Sequence, residues 1–387
     1  MKIGIPKEVL AGETRVAVVP NMIAILKKNK HEVLVEAGAG SVASFMDEEY
    51  QQAGAIIVKD GSELYRSSEV VLKFQPPRLH PKAGKHEVEL IPEGAALICF
   101  MEPHLYPEAI RKLVERKITC FAMDYIPRIT RAQSMDALSS ISTVTGYKSV
   151  LVAAYHLGKF FPLLMTAAGT IPPANVMILG AGVAGLQAIA TAKRLGAKVE
   201  AFDPRPAVKE QVKSLGAQFI EMEISENVET AGGYAKEQSE AFLQKERDAI
   251  ASRLPKMDIV ITTAQVFGKR APLLITEDMV KMMRTGSVIV DLAADQGGNC
   301  ELSKPRETVV KHGVTVIGVV NLANTIPVHA SQMYSKNITN LFLHLYKSPE
   351  GKLDFSDEIT KGACLTHQGE IVNEAVKKIV QGGGISK

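Results

Sequence analysis

Tryptophan is absent from this 387-residue chain, and cysteine is scarce. The four thiols, Cys99, Cys120, Cys300 and Cys364, stand far apart and form no Cys-x-x-Cys pair. That spacing excludes zinc-ribbon and dithiol redox motifs, so no metal site is expected and the thiols read as buried and reduced. No run of about 18 consecutive apolar residues occurs, so no segment is expected to cross a bilayer by itself. The opening, Met1-Lys2-Ile3-Gly4-Ile5-Pro6, has neither the apolar core of a signal peptide nor the Arg/Ser-rich helix of a transit peptide. A cytoplasmic location is therefore expected. Neither sign of charge dominates: 45 basic residues face 42 acidic ones, for a net charge of +3. A nucleic-acid partner, which needs a strong basic excess, is not expected.

What the chain does have is hydrophobic residues, 46% of the total, enough for two well-filled cores. Short apolar runs at Ile3–Ile5, Val33–Glu36, Ile56–Lys59, Val70–Phe74 and Ala95–Phe100 predict strands. Helical patterns at Pro20–Lys28, Glu49–Ala53 and Pro107–Lys117 fall between them. A second series of strands is predicted at Val176–Leu179, Lys198–Phe202, Gln218–Glu221, Asp258–Thr263, Ser287–Leu292 and Val314–Gly318. Strands alternating with helices imply parallel sheets covered on both faces. The expected fold is α/β, with two doubly wound, Rossmann-like domains joined by long helices. Residues 1–136 with 326–387 would form one domain, and residues 137–325 the other. A joining helix is predicted at Ala137–Phe161, and Ser331–Tyr346, after the last strand, is predicted helical.

The strongest local motif follows the strand Val176–Leu179. Gly180-Ala181-Gly182-Val183-Ala184-Gly185 is a Gly-x-Gly-x-x-Gly turn running into a helical pattern, Val183–Leu195. Gly180 would permit the tight turn, Gly182 the close approach of a pyrophosphate, and Gly185 the packing of helix on strand. The next strand ends in Asp203, 18 residues after Gly185, where a carboxylate that binds the adenosine ribose belongs. Such an acid would also repel a 2′-phosphate, favouring NAD over NADP, although Arg205 two residues on could tolerate that phosphate. A plain glycine-rich turn with no ligand would show the same glycines.

A second polar cluster, Pro127–Ser140, lies at the junction of the two domains. Gln133, Asp136 and Ser139 recur every three residues, so on a helix they would share a face able to hold a carboxamide and a water. The other reading is a polar helix start capped by Thr130 or Ser134.

Arg128–Asp136 resembles the Arg-Gln-Asp loop of the NAD(H)-binding components of proton-translocating nicotinamide nucleotide transhydrogenases. Thr166–Ala174, Gly185–Gly196, Lys209–Val212, Glu229–Lys236 and Asp291–Cys300 are similar to that family too, and the opening Gly4–Glu8 with Arg15–Ala17 resembles the related alanine dehydrogenases. The resemblance implies hydride transfer between NAD(H) on this chain and NADP(H) on a partner subunit, coupled to proton movement through membrane-spanning subunits. It implies a homodimer, peripheral on the inner (plasma) membrane through those partners. Arg128, Gln133, Asp136 and Ser139 match the residues at the nicotinamide, with Ile129 and Thr130 beside them. Gly180, Gly182, Val183, Gly185, Asp203, Pro204 and Arg205 match the pyrophosphate and adenosine end. Gly233, Tyr234 and Gln265 match further contacts, Gly233 and Tyr234 on a loop that closes over the nucleotide. Gln265 stands where the family pattern has leucine.

The alternative is a soluble NAD-dependent amino-acid dehydrogenase of the alanine type; a nucleotide-binding regulatory module is a third reading. A dehydrogenase must move a proton as well as a hydride and needs an acid or base at the reacting carbon. Here Gln75 stands where alanine dehydrogenases have a lysine, and Glu102 near their histidine, leaving Lys73 or His104 as substitutes. Transfer between two nicotinamides needs only alignment. The isolated chain should therefore bind NADH and oxidise no amino acid. NADH formation from NAD and alanine, or pyruvate-dependent loss of NADH, would overturn the transhydrogenase reading.

Overall fold

Most central strands of this chain are apolar on both faces, which a sheet covered by helices on both sides satisfies. A computed structural model describes residues 1–222, 239–266, 269–347 and 351–382. The chain divides into two units, Met1–Ile141 with Asn324–Lys387, and Ser142–Ala323.

In the first unit the strands Lys2–Ile5, Glu32–Glu36, Ile56–Val58, Val70–Leu72, Ala96–Cys99 and Thr119–Ala122 run parallel. Their spatial order is third, second, first, fourth, fifth, sixth, the doubly wound arrangement. Cys364–His367 adds an antiparallel strand beside Thr119–Ala122, and Glu370–Ile371 follows it at the edge. Ile3, Val33, Val70 and Ile98 pack on one face with Ile23 and Leu341 from the helices Pro20–Lys28 and Pro327–Leu345. Val71, Leu97 and Cys120 pack on the other with Ile110, Leu113 and Val376. The strand predicted over Val70–Phe74 stops at Leu72, because the Phe74 N–H donates to the Glu8 carboxylate at 2.6 Å instead of to a neighbouring strand.

The second unit repeats the topology. Asn175–Leu179 lies at the centre, flanked by Lys198–Phe202 and then Gln218–Phe219 on one side, and by Ile259–Thr262, Val288–Asp291 and Val314–Gly318 on the other. Thr308–Lys311 closes that edge antiparallel. Val176, Ile178, Ile261 and Val290 face Val150, Ala153 and Ile189 from the helices Ala137–His156 and Val183–Arg194, while Met177, Phe202 and Val260 face Ile250 and Leu254. A further helix runs from Glu240 to Ala251. No helix among the described residues is long and apolar enough to cross a membrane, and all four cysteines are buried and free of disulfides.

The first unit also buries a charged cluster. Lys73, 1% exposed, donates to Glu87 at 2.7 Å and to Glu8 at 3.2 Å, and the Tyr65 hydroxyl donates to the same Glu87 oxygen. Burial pushes the Glu8 carboxyl above its ordinary value even with Lys73 opposing, and the two carboxylates hold the Lys73 ammonium charged. Removing one partner of a buried ion pair costs about 3–5 kcal/mol. Lys73→Met should destabilise the protein by roughly that amount in urea unfolding at pH 7. Burial already raises the Glu8 carboxyl, so in the variant its proton stabilises the fold and the deficit should shrink as pH falls. An unchanged unfolding midpoint would show that the cluster contributes nothing net.

Candidate nucleotide-binding site

Strand register sets the site in the second unit. Leu179 pairs with Phe202 on one side and with Thr262 on the other, so Gly180, Asp203 and Thr263 follow at one level of the sheet's carboxyl edge. Gly180 has φ +96°, a conformation that glycine adopts without strain. Its carbonyl accepts from the Thr263 hydroxyl at 3.0 Å. A Cβ on Gly185 would lie 1.8 Å from that carbonyl oxygen, so only glycine lets the helix Val183–Arg194 start this close to the strand. Above Gly182 the space is open: a Cβ there would find its nearest atom, Arg205 Nη2, at 4.0 Å. Gly182 receives no side-chain cap, leaving first-turn N–H groups of the helix available to an anion. These residues fit a dinucleotide pyrophosphate.

Asp203 is 3% exposed, and both its oxygens are occupied. Oδ1 accepts from the backbone N–H and Nε of Arg205, at 2.9 and 2.8 Å. Oδ2 accepts from Arg205 Nη2 at 2.8 Å and from the Ala181 N–H of the glycine turn at 2.7 Å. Arg205 therefore lies against Asp203, held by its carboxylate, and Pro204 between them is half-buried.

A second carboxylate braces the neighbouring loops. Asp291, fully buried, accepts from Thr262 Oγ1 and from the backbone N–H groups of Ala293, Asn299 and Cys300. The Asn299 side chain in turn donates to the carbonyls of Ala264 and Pro272 and accepts from the Ala264 N–H. Gln265 is exposed, and its amide donates to the Leu292 carbonyl at 3.0 Å, which ties one loop to the next. Thr263, Asp291 and Asn299 are individually weak or absent as sequence signals; their roles depend on strands paired across the sheet.

The polar cluster 128–139 lies in the first unit, except that its helix runs on into the second. The α-helix begins at Ala137, as expected, and Gln133 lies before it in the 3₁₀ turn Thr130–Met135, so of the three polar residues only Ser139 is on the helix itself. Asp136 is its cap: Oδ1 accepts from the Ser139 N–H at 2.9 Å and Oδ2 from the Ser139 hydroxyl at 2.6 Å. Asp136 and Ser139 are thus joined, while Arg128, Thr130 and Gln133 are exposed and Ile129 is half-buried. Neither Thr130 nor Ser134 caps the helix; the Ser134 carbonyl accepts from Asn337 and Asn340. Gly233 and Tyr234 lie outside the described residues.

Sheet order, glycine turn and acidic second strand together define a dinucleotide-binding α/β protein of the Rossmann type. Residues 4–145 match the family described as "Alanine dehydrogenase/PNT, N-terminal domain" and residues 149–374 its C-terminal domain. The chain belongs to the alanine dehydrogenase/PNT family. It is 48% identical over 381 residues to an NAD(P) transhydrogenase alpha subunit of Rhodospirillum rubrum, covering 97% of this chain and 99% of that one. A solved transhydrogenase from Sinorhizobium meliloti is 39% identical, with a TM-score of 0.83 over 97% of this chain and 100% of that one. A solved L-alanine dehydrogenase is 28% identical, with a TM-score of 0.81 over 99% of both.

The two later glycines make separable predictions. Gly185→Ala should lower stability by about 1–3 kcal/mol, because backbone must move to admit the Cβ. Gly182→Ala should melt like the unmodified chain and bind NADH more weakly, since its methyl enters open space. Thermal unfolding and NADH titration of both variants check this; equal melting temperatures for the two would contradict the assigned contacts.

Proposed function

We propose that this chain is the NAD(H)-binding component of a proton-translocating NAD(P) transhydrogenase, aligning its nucleotide for direct hydride transfer to or from NADP(H) on a partner subunit. One observation carries the choice over an amino-acid dehydrogenase. Where that chemistry needs a free base, Lys73 is buried and ion-paired to Glu8 and Glu87. Gln75 is neutral, with its amide donating to Glu13 Oε2 at 2.6 Å. The same Glu13 holds Arg15 through both oxygens. A glutamine already bonded to the acid that neutralises Arg15 is a poor site for proton transfer from a substrate amine.

Bound NAD(H) supplies the hydride donor or acceptor. The chain's residues bind and orient it. Gly180, Gly182, Val183 and Gly185 receive the pyrophosphate, and Asp203, Pro204 and Arg205 the adenosine end. Arg128, Ile129, Thr130, Gln133, Asp136 and Ser139 orient the nicotinamide end, and Gly233, Tyr234 and Gln265 complete its enclosure. The Asp136–Ser139 pair supports this reading, because a side chain fixed at a helix start places its neighbours reproducibly. The names of relatives, transhydrogenase subunit alpha, support partner subunits that bind NADP(H) and span the membrane, with this chain peripheral on its cytoplasmic side. A homodimer is supported by apolar side chains left in solvent around the antiparallel hairpin Leu164–Thr166 and Gly169–Ile171, among them Leu163, Met165 and Ile171.

Alignment and affinity separate in the test. Ring position within fractions of an ångström sets the rate, whereas affinity sums over the whole nucleotide. Gln133→Asn should lower single-turnover hydride transfer, measured after mixing with the NADP(H)-binding partner, by about 10²-fold. Its calorimetric NADH affinity should change far less. Full transfer with badly weakened binding would mean that the segment grips the nucleotide without aligning it.

A further inference from the structure

In the 3₁₀ turn Thr130–Met135, with three residues to each turn, positions i and i+3 lie one above the other. The six residues therefore form three pairs. Ala132 and Met135 are buried, in the same core as Tyr334, Ile338 and Leu341 of the helix Pro327–Leu345. Thr130 and Gln133 are exposed. Arg131 and Ser134, the third pair, are tethered to the same unit of the chain. Arg131 Nη1 donates to Asp357 Oδ2 at 3.1 Å. The Ser134 carbonyl accepts from Asn337 Nδ2 at 2.9 Å and from Asn340 Nδ2 at 3.1 Å. Asn337 and Asn340 are three apart on one helix, so they are surface neighbours and both amides reach one carbonyl.

The Gln133 side chain bonds to no described residue, so its backbone sets its direction, and the carbonyl one residue on is the one that the two amides hold. Asn337 makes its bond at some expense to the core. It is 6% exposed, and its Oδ1 is buried with no hydrogen-bond partner among the described residues. Leucine has the same branched outline and would strand no oxygen there, and Asn340 by itself would still satisfy the carbonyl. Stability alone does not explain an amide at this position; what the amide adds is a second hold on Ser134. We infer that Asn337 and Asn340 are positioning residues for hydride transfer: together they fix the Ser134 carbonyl, and through it the direction in which the turn presents Gln133 to the nicotinamide. This rests on the proposed NAD(H) site and on the part that Gln133 plays in it. Transfer falls steeply with small displacements, whereas affinity sums over the whole nucleotide, so a loosened turn slows transfer and leaves binding nearly intact.

The test mixes the full chain with the NADP(H)-binding partner for single-turnover hydride transfer, with calorimetric NADH titration and thermal unfolding alongside. Asn337→Leu should melt no lower than the unmodified chain and transfer hydride about threefold more slowly. Asn337→Leu combined with Asn340→Ala frees the carbonyl altogether. Because the two donors share one acceptor, that pair should slow transfer by at least about thirtyfold, more than the single changes multiplied, with NADH affinity held within about threefold. Asn337→Leu combined with Asn340→Gln keeps one amide donor and should return to the rate of Asn337→Leu, a rescue that a merely structural role does not predict. Should the first pair unfold early, Asn337→Leu decides alone: slower transfer at an undiminished melting temperature supports the inference, and full transfer overturns it. A lowered melting temperature for Asn337→Leu, or full transfer by the first pair, overturns the inference and leaves the NAD(H) site standing. Full transfer by Gln133→Asn removes the alignment role of the turn itself, and the inference with it.

Discussion

The carbonyl of Gly180 occupies the space that any side chain at residue 185 would need. This one backbone contact fixes where the helix Val183–Arg194 begins relative to the sheet. The rest of the turn follows from it. With helix and strand in contact, Gly182 sits half-buried at the bend, where no side chain intrudes. Thr263 and Asp203, each one residue past the end of a flanking strand, then lie within reach of the turn and bind it from both sides through Gly180 O and Ala181 N. A looser helix start would leave both of those bonds unmade.

Buried carboxylates then fix the loops that the sheet cannot. Backbone N–H groups just past strand ends have no ladder partner and must find acceptors elsewhere. Asp291 supplies one for Ala293, Asn299 and Cys300, and Asp203 does the same for Ala181 and Arg205. Both carboxylates thereby tie the loops at the sheet's carboxyl edge to the strands they follow.

Much of this is legible in the sequence, and the exceptions share a cause. The strand–turn–helix at 175–194 carries its own local signals, an apolar run, three glycines at fixed spacing and a 3.6-residue period, so it can be read without tertiary information. The strands Lys198–Phe202 and Val314–Gly318 and the helix start at Pro20 are equally local. Thr119–Ala122 and Cys364–His367 carry no such signal: each is four residues long, and the two pair across most of the length of the chain. The 3₁₀ turn at Thr130–Met135 also escapes: the helix start at Ala137 is legible, but Asp136 is its cap only because the turn precedes it.

The two units show why topology alone does not make a nucleotide site. Both sheets have the same central order of strands, and both present the carboxyl ends of their first and fourth strands side by side. In the second unit those ends carry Gly180 and Thr263, small groups that leave the backbone open. In the first unit the fourth strand, Val70–Leu72, runs into Lys73, and the first, Lys2–Ile5, leads to Glu8. The Lys73 ammonium, the Glu8 and Glu87 carboxylates and the Tyr65 hydroxyl bond to one another at that edge, with Lys73 buried. A buried ammonium already paired to two carboxylates leaves little positive charge to attract an incoming phosphate. The same architecture is therefore a binding edge where its strand ends are small and a closed one where they are charged and paired.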